Sequence, residues 1–453
     1  MRKTKIVCTM GPSTDKPGIL RQLMENGMNV ARFNFSHGDY EEHKGRYDKV
    51  RALSKELDLP IACMLDTKGP EIRLGEFKNG VEKLTTGQKF TLTSRSVEGT
   101  NEICSVTYKE LPHDVKPGGR IMLDDGLIEL RIDEVGDTDI ACTVCNDGII
   151  KTKKGVNVPG VHLSMPYMSQ RDKDDIIFGI EHGVDFIACS FVSCKQDLLD
   201  IKEILSAYGA PDIELIAKIE NSTGIANIEE ICQECSGIMI GRGDLGVEIP
   251  LEELPAVQKR IITKCRMLGK RVITATEMLE SMIHNPRPTR AEASDVANAV
   301  YDGTSAIMLS GETAAGDHPV LVLKTMARIA EYTETNIHYA KRFRRSGFEI
   351  RNLVDAISHA VAGMSIDIDA KAMCVCTRSG MTARMVSRYS PVHRKRPLSF
   401  VFRHDDQLIV VEALVAEPDD FRVTAVVFPQ QRNRRILPYF QCRGQQTVGR
   451  KAI

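Results

Sequence analysis

The chain has 453 residues, of which 42% are hydrophobic and 27% are charged, a composition typical of a globular protein large enough for several domains. Its 60 Lys and Arg residues nearly balance its 61 Asp and Glu residues, so no global charge bias points to nucleic acid or a membrane surface as a partner.

The start of the chain lacks the pattern of a secretion signal. Its basic front is followed by an apolar run that Gly11 and Pro12 interrupt, and no stretch of about 18 apolar residues follows. The 13 cysteines are scattered without the spacing of a small disulfide-rich domain, which suits a reducing compartment. We therefore expect a soluble, cytoplasmic protein with no nucleic-acid or membrane partner.

Two C-x-x-C pairs raise the question of a zinc site. Cys142 and Cys145 lie in a strand-like run, where a three-residue offset points the two side chains to opposite faces. Cys232 and Cys235 are far from them in the sequence. We interpret both pairs as packed thiols rather than as ligands of one shared zinc ion.

A repeated unit of apolar strand, polar or glycine-rich turn and helical pattern runs along the chain. Eight strand candidates begin near residues 5, 28, 61, 185, 213, 237, 271 and 306. Short β-branched runs that alternate with amphipathic helices are typical of parallel βα units. Eight of them predict an α/β protein with a closed (β/α)8 TIM barrel over residues 1–70 and 166–340. Thr289 and Glu292 form a capping box that predicts the start of one helix.

The third and fourth barrel strands are separated by more chain than one helix needs. Residues 71–165 consist of short alternating segments with hairpin-turn chemistry at Asn79-Gly80, Asp125-Gly126 and Asp147-Gly148. We predict an inserted β-barrel domain, which would hang over the catalytic face as a lid.

Polar side chains occupy the ends of five of the predicted strands. The carboxyl ends of barrel strands build the active site, and the chain places there Arg32, Asn34, Ser36, Asp66, Thr67, Lys218, Glu220, Asp244 and Thr276. One such residue is more often a solvated loop charge, so it is their convergence that predicts a site. Lys218 and Glu220 share a strand face. Two adjacent buried carboxylates need a cation, so Glu220 and Asp244 predict a Mg²⁺ site.

A glycine pattern near this site admits a second interpretation. Gly241, Gly243 and Gly246 spell the dinucleotide motif G-x-G-x-x-G after a strand, yet the acidic residue expected about twenty positions later is missing. We interpret the glycines instead as a turn whose backbone N–H groups approach an anion, with Asp244 facing the metal.

Long blocks of the sequence resemble the pyruvate kinase family. They are "NVARFNFSHG", "LDTKGPEIR", "IAKIEN", "GRGDLGVEIP", "ITATEMLESM", "NPRPTRAEASDVANAVYDGT" and "MLSGETAAG", in the order and spacing of the family, and they cover residues 1 to about 340. The resemblance implies transfer of the phosphoryl group of phosphoenolpyruvate to ADP, which gives ATP, followed by protonation of the enolate to pyruvate. It also implies a glycolytic homotetramer.

The resemblance assigns roles to individual positions. Lys218, Arg32 and Thr276 would be catalytic: Lys218 would neutralise the phosphoryl group in flight, and Thr276 would belong to the relay that protonates the enolate. Arg32, Gly243, Asp244 and Thr276 would bind substrate, and Arg73, Asn34 and His37 the nucleotide. Glu220 and Asp244 would hold Mg²⁺ or Mn²⁺. Asn34, Ser36, Asp66 and Thr67 would supply oxygens for K⁺, and a second divalent ion would arrive with the nucleotide.

Glu71 bears on the K⁺ requirement. The family carries glutamate at this position in K⁺-dependent members and lysine in K⁺-independent ones. A glutamate leaves the site one positive charge short. The resemblance therefore implies that this protein requires K⁺.

The end of the chain departs from the family. Residues 341–453 should form its C-terminal α/β domain, and "TRSGMTARMVSRY" resembles the loop that grips a sugar-phosphate effector, although an ordinary strand-to-helix turn explains it equally well. After about residue 390 the resemblance stops, so we expect an atypical or incomplete domain and weak or absent sugar-phosphate activation.

Two other functions stay open at this point. A phosphoenolpyruvate-binding sensor would keep the site but turn over poorly because its third domain is damaged. A Mg²⁺-dependent carbon–carbon lyase on a similar barrel would share Glu220 and Asp244 but would need neither Lys218 nor the lid.

Overall fold

The computed structural model describes most of the chain. The described residues are 2–161, 163–368, 370, 372–377 and 380–389, followed by strand segments at 397–398, 409–410, 413–414 and 423–426. Residues 1–338 and 339–453 form two compact units. Apart from those segments, the tail that we expect to depart from the family after residue 390 lies outside the described residues.

The first unit contains seventeen strands among its described residues. In chain order they are β1 (Lys5–Thr9), β2 (Val30–Asn34), β3 (Ala62–Asp66), β4 (Ile72–Arg73), β5 (Val81–Leu84), β6 (Lys89–Thr93), β7 (Ile103–Ser105), β8 (Arg120–Leu123), β9 (Ile128–Val135), β10 (Asp139–Val144), β11 (Gly148–Lys151), β12 (Gly155–Asn157), β13 (Phe186–Cys189), β14 (Glu214–Ile219), β15 (Gly237–Gly241), β16 (Arg271–Ala275) and β17 (Ala306–Leu309).

Eight of these strands form a closed barrel in the order β1-β17-β16-β15-β14-β13-β3-β2. All neighbours pair in parallel, including β1 with β2, which closes the ring. The eight are the eight predicted strands, so the (β/α)8 fold is confirmed. Both strand faces are buried, because one packs into the barrel and the other under the helices. The side chains inside the barrel include Val7, Met64, Ile216, Met239 and Met308.

Helices surround the barrel. They are α1 (Pro12–Asp15), α2 (Ile19–Glu25), α3 (Tyr40–Glu56), α4 (Leu111–Asp114), α5 (Gln170–His182), α6 (Lys195–Ala207), α7 (Ser222–Ala226), α8 (Ile228–Glu234), α9 (Arg242–Glu248), α10 (Leu254–Leu268), α11 (Arg290–Asp302), α12 (Gly311–Ala314) and α13 (Pro319–Thr335), with 3-10 turns at Leu251–Glu253 and Glu280–Ile283; of these, α4 lies in the inserted segment. The predicted capping box is confirmed, since Thr289 and Glu292 hydrogen-bond each other's backbone at the start of α11.

The inserted segment has its own sheet and its own apolar core. Seven strands run in the order β4-β12-β8-β9-β10-β6-β7, and β11 pairs with β5. Of the three predicted hairpin turns, only Asp125-Gly126 joins strands that pair with each other, β8 and β9. The strands on either side of Asn79-Gly80, β4 and β5, pair with β12 and β11 instead of with each other. Those on either side of Asp147-Gly148, β10 and β11, likewise pair with other strands. The limits of this domain at residues 71 and 165, and its role as a lid, stay predictions.

The second unit has α/β architecture over its described residues. It contains α14 (Tyr339–Arg345), α15 (Leu353–Asp367), β18 (Ala372–Thr377), α16 (Met381–Ser387), β19 (Pro397–Leu398), β20 (Ile409–Val410), β21 (Ala413–Leu414) and β22 (Val423–Val426). β18 pairs with β20 and β22. The proposed effector loop before α16 lies partly outside the described residues. Within the described part of the whole chain, we find no helix with the length and apolarity of a membrane span.

Candidate active site

Lys218 lies at the centre of a buried polar cluster at the carboxyl ends of the barrel strands. Its Nζ atom is 3.0 Å from Oδ1 of Asp66 and 3.0 Å from Oε1 of Glu220. It also donates a hydrogen bond to Oγ of Ser190, at 2.7 Å. These four side chains come from β3, the end of β13 and β14, so barrel closure is what brings them together.

The charges of this cluster hold one another ionised. Burial lowers the pKa of Lys218, but Asp66 and Glu220 outweigh burial and raise it above its usual range. Burial raises the pKa of Asp66, but Arg32 and Lys218 outweigh burial and lower it. A dry, preorganised cation at this place can stabilise negative charge more strongly than a solvated lysine can.

Arg32 adds a second cation to the cluster. Its Nε–H donates to Oδ2 of Asp66 at 2.6 Å, and Nη1 donates to Oγ1 of Thr9 at 2.9 Å. Thr9 in turn donates to the carbonyl of Leu309, which fixes the hydroxyl that receives Arg32. Asp66 therefore orients Arg32 and Lys218 at the same mouth of the barrel.

Glu220 is held from two sides. Oε1 faces Lys218, and Oε2 accepts a hydrogen bond of 2.9 Å from the backbone N–H of Phe191. Phe191 adopts a left-handed backbone, with φ of 55°, a costly conformation for a bulky residue that the surrounding fold must enforce. The backbone of Gly241, at the end of β15, lies against the same carboxylate.

Asp244, in the first turn of α9, is the second carboxylate of the predicted metal pair. Burial and the charge of Glu220 raise its pKa to about 7, and Asp125 and Glu71 act in the same direction. The described residues contain no group of three metal-ligating side chains, but Mg²⁺ needs only one or two carboxylates and takes water and substrate oxygens besides. The carboxylates of Glu220 and Asp244, which carry more negative than positive charge between them and their neighbours, therefore suit Mg²⁺.

The predicted K⁺ ligands meet where β2 and β3 end. Asn34 is the strand partner of Asp66, and its Oδ1 accepts from the N–H of Ser36 at 3.2 Å. Thr67 accepts from the N–H of Ser190 at 3.1 Å. These oxygen donors have the chemistry that a hard cation requires, although both oxygens of Asp66 already bind Arg32 and Lys218.

Thr276 follows β16 and approaches the turn that starts α9. A Cβ atom placed on Gly243 would lie 3.0 Å from Cγ2 of Thr276. The structure therefore brings the predicted proton relay next to the two residues, Gly243 and Asp244, whose backbone is predicted to bind the substrate carboxylate.

Two of the three predicted nucleotide contacts, Arg73 and His37, make no hydrogen bond or ion pair with the described residues of the cluster around Lys218. Arg73 forms an ion pair with Glu71 and donates from Nη1 to the carbonyl of Lys153 at 3.0 Å. His37 is exposed, and within the described residues its ring makes no hydrogen bond or ion pair. The structure does not bring His37 into the buried cluster around Lys218.

Sequence reasoning missed four residues of the site: Thr9, Ser190, Phe191 and Arg242. Thr9 and Ser190 end or directly follow barrel strands, so the rule that selected Asp66 could have found them. Arg242 also directly follows a barrel strand, β15, and acts through its guanidinium group, so the same rule applies to it. Phe191 acts through its backbone N–H group, which leaves no signal in the side-chain pattern.

The chain is similar in sequence to a family of known proteins. The model of the pyruvate kinase barrel domain matches residues 1–323, and the model of the pyruvate kinase alpha/beta domain matches residues 355–408. The second match therefore continues beyond residue 390. Proteins named pyruvate kinase from Geobacillus stearothermophilus and Clostridium perfringens are 52% and 48% identical over 86% of this chain, which correspond to 67% and 83% of those proteins.

A solved structure is similar as well. The crystal structure of a pyruvate kinase from Cryptosporidium parvum superposes with a TM-score of 0.82 at 40% identity. The superposition covers 86% of this chain and 81% of that one.

Proposed function

The chain belongs to the pyruvate kinase family, and on that premise we propose that it transfers the phosphoryl group of phosphoenolpyruvate to ADP, giving ATP and pyruvate. It is a phosphotransferase. Neither the comparisons nor the described site offers an observation that favours the sensor or the lyase.

The observation that carries the proposal is the position of Lys218 between two buried carboxylates. Its ammonium group is buried, charged and fixed in place by these carboxylates. Phosphoryl transfer spreads negative charge over the transferred oxygens, and its catalysis consists mainly of placing positive charge there. Lys218 supplies that charge in this proposal, and Arg32 grips the phosphate from the side of Asp66.

Glu220 and Asp244 would hold Mg²⁺ or Mn²⁺ in this proposal, which would supply positive charge beside the substrate oxygens. The backbone N–H groups of Gly243 and Asp244 bind the substrate carboxylate. Asn34, Ser36, Asp66 and Thr67 contribute oxygens for K⁺. Arg73, Asn34 and His37 contact the nucleotide.

In this proposal Thr276 belongs to the relay that protonates the enolate in the second half of the reaction. Its place beside Gly243 supports this role, because a group that orients the substrate carboxylate also fixes the carbon that receives the proton. A cytoplasmic homotetramer, as the family resemblance implies, completes the proposal, and we expect any activation by a sugar-phosphate effector to be weak or absent.

A coupled assay tests the proposal directly. The protein is incubated with phosphoenolpyruvate, ADP, Mg²⁺ and K⁺, and pyruvate is followed by its reduction to lactate. We expect ATP and pyruvate in equal amounts and no product without Mg²⁺. Tight binding of phosphoenolpyruvate without turnover would instead favour the sensor.

A further inference from the structure

Arg242 occupies a buried position between the two predicted substrate-binding turns. It starts α9, directly before Gly243 and Asp244, and only 9% of its surface is exposed. Its Nε–H group donates to the carbonyls of Ala275 and Thr276, at 3.1 Å each. Its Nη2 donates to the carbonyl of Thr276 again, at 2.5 Å. The guanidinium of Arg242, at the start of α9, therefore holds the backbone of Thr276 in the turn after β16.

Two of the helices that surround the barrel anchor the other side of the guanidinium. Nη1 donates to Oδ2 of Asp295 in α11 at 2.6 Å, and Oε1 of Gln258 in α10 lies 3.5 Å away. A planar guanidinium carries five N–H donors in a fixed fork, so it can bind a carboxylate and two carbonyls at once in one defined orientation. The position of the guanidinium is thus also set by side chains of α10 and α11.

The backbone that Arg242 holds is strained. Thr276 and Glu277 have φ of 71° and 52°, so two successive residues other than glycine lie in the left-handed region. This conformation is a particular outlier for a β-branched residue such as Thr276. Such a conformation persists only where surrounding contacts hold it in place. Arg242 supplies such a contact, because it donates hydrogen bonds to the carbonyl of Thr276 itself.

We propose that Arg242 is a positioning residue for proton delivery: it holds Thr276 in its left-handed conformation at a fixed place beside Gly243 and Asp244. The inference rests on the proposed function, since it takes Thr276 as part of the proton relay. Arg242 then acts through the backbone of Thr276 and contacts neither substrate nor metal. Its loss should slow protonation of the enolate more than it slows phosphoryl transfer.

Two measurements separate these steps. The first is exchange of the methyl protons of pyruvate with D2O, followed by NMR in the presence of Mg²⁺, K⁺ and ATP, because a group that protonates the enolate also removes that proton in reverse. The second is ATP formed in a single turnover from phosphoenolpyruvate and ADP, measured by rapid quench, because phosphoryl transfer precedes protonation.

For Arg242→Met we expect proton exchange to fall by roughly tenfold to a hundredfold, the usual effect of a misplaced catalytic group. Single-turnover ATP formation should change by less than about threefold. Asp295→Asn keeps the guanidinium but weakens its anchor, so it should show the same imbalance to a smaller degree. This second variant keeps the inference testable if Arg242→Met fails to fold.

Arg271→Met is the matched control. Arg271 begins the same strand, β16, at the opposite end of the barrel and forms an ion pair with Glu214. It should leave both measurements unchanged. An equal fall of exchange and single-turnover ATP formation in the Arg242 and Asp295 variants, or unchanged exchange, would overturn the inference. A parent protein that forms no ATP at all would overturn the proposed function first, and this inference with it.

Discussion

The carboxylate of Glu220 lies so close to the backbone of Gly241 that residue 241 has no room for a side chain. A Cβ atom there would lie 2.5 Å from Oε1 and 2.7 Å from Cγ of Glu220. Gly241→Ala must therefore move a predicted metal ligand. We expect the Mg²⁺ concentration for half-maximal activity to rise by about tenfold or more, equivalent to about 1.4 kcal/mol, as measured by Mg²⁺ titration of the coupled assay.

Gly45→Ala is the control for this substitution. Gly45 lies in α3, and a Cβ atom there would meet nothing within 4 Å. Because alanine favours a helix over glycine by about 1 kcal/mol, the control should keep the parent's Mg²⁺ dependence and unfold at the same or a higher temperature. An unchanged Mg²⁺ requirement in Gly241→Ala would contradict the assignment of Glu220 as a ligand.

Lys218→Met should affect both activity and stability. Loss of the cation removes transition-state stabilisation on the order of a thousandfold in turnover. It also removes the shared partner of the buried carboxylates of Asp66 and Glu220, and breaking a buried ion pair costs about 3–5 kcal/mol. Turnover is therefore measured per folded molecule, with thermal unfolding followed alongside.

Lys202→Met provides the comparison, since Lys202 of α6 forms an ion pair with Glu234 of α8. Both side chains are only half-buried, and an ion pair that solvent reaches contributes about 0–1 kcal/mol, so this variant should resemble the parent in both measurements. Turnover of Lys218→Met within tenfold of the parent would argue against the assignment of Lys218 to the phosphoryl group.

The sequence was sufficient for the part of the site that follows from strand periodicity. Lys218 and Glu220 share a face because they are two residues apart. Asp66 and Asp244 belong to the same mouth because Asp66 ends one barrel strand and Asp244 follows another. The eight strands themselves were recognisable because parallel strands are buried on both faces. They therefore appear in the sequence as short apolar runs between helical segments.

What the sequence could not supply depends on contacts across the barrel. The three partners of Asp66, which are Arg32, Lys218 and Ser190, come from three other strands, so their meeting depends on barrel register. The hairpin predictions at Asn79-Gly80 and Asp147-Gly148 were wrong for a related reason. Turn chemistry reports that the chain reverses, but it does not say which strands then pair.

Glu71→Lys should relax the K⁺ requirement. Glu71 is paired with Arg73 and adds negative charge near Asp244, so a lysine there supplies the positive charge that K⁺ otherwise brings. We expect the parent to need K⁺ and the variant to keep most of its activity when tetramethylammonium replaces K⁺. Glu76→Lys, an exposed site in the same inserted segment, should stay K⁺-dependent. Full activity of the parent without K⁺ would disprove the idea.

Glu248, the last residue of α9, should make stability depend on pH. Burial raises the pKa of its carboxyl from 4.5 to about 7, and a hydrogen bond with Asn157 offsets this only in part. As pH rises from 4.5, the unfolded chain loses this proton before the folded protein does. The folded state is therefore progressively disfavoured up to about pH 7, and above that the penalty is constant.

Glu248→Gln cannot ionise and escapes the penalty. Relative to the parent, the variant should gain stability between pH 5 and pH 8, by at most about 2–3 kcal/mol, visible as an unfolding temperature that falls less with pH. Glu252→Gln, at an exposed glutamate just after α9, should follow the parent at both pH values. If Glu248→Gln also follows the parent from pH 5 to pH 8, the carboxyl of Glu248 is already ionised in the folded protein at pH 5, and burial does not hold its proton.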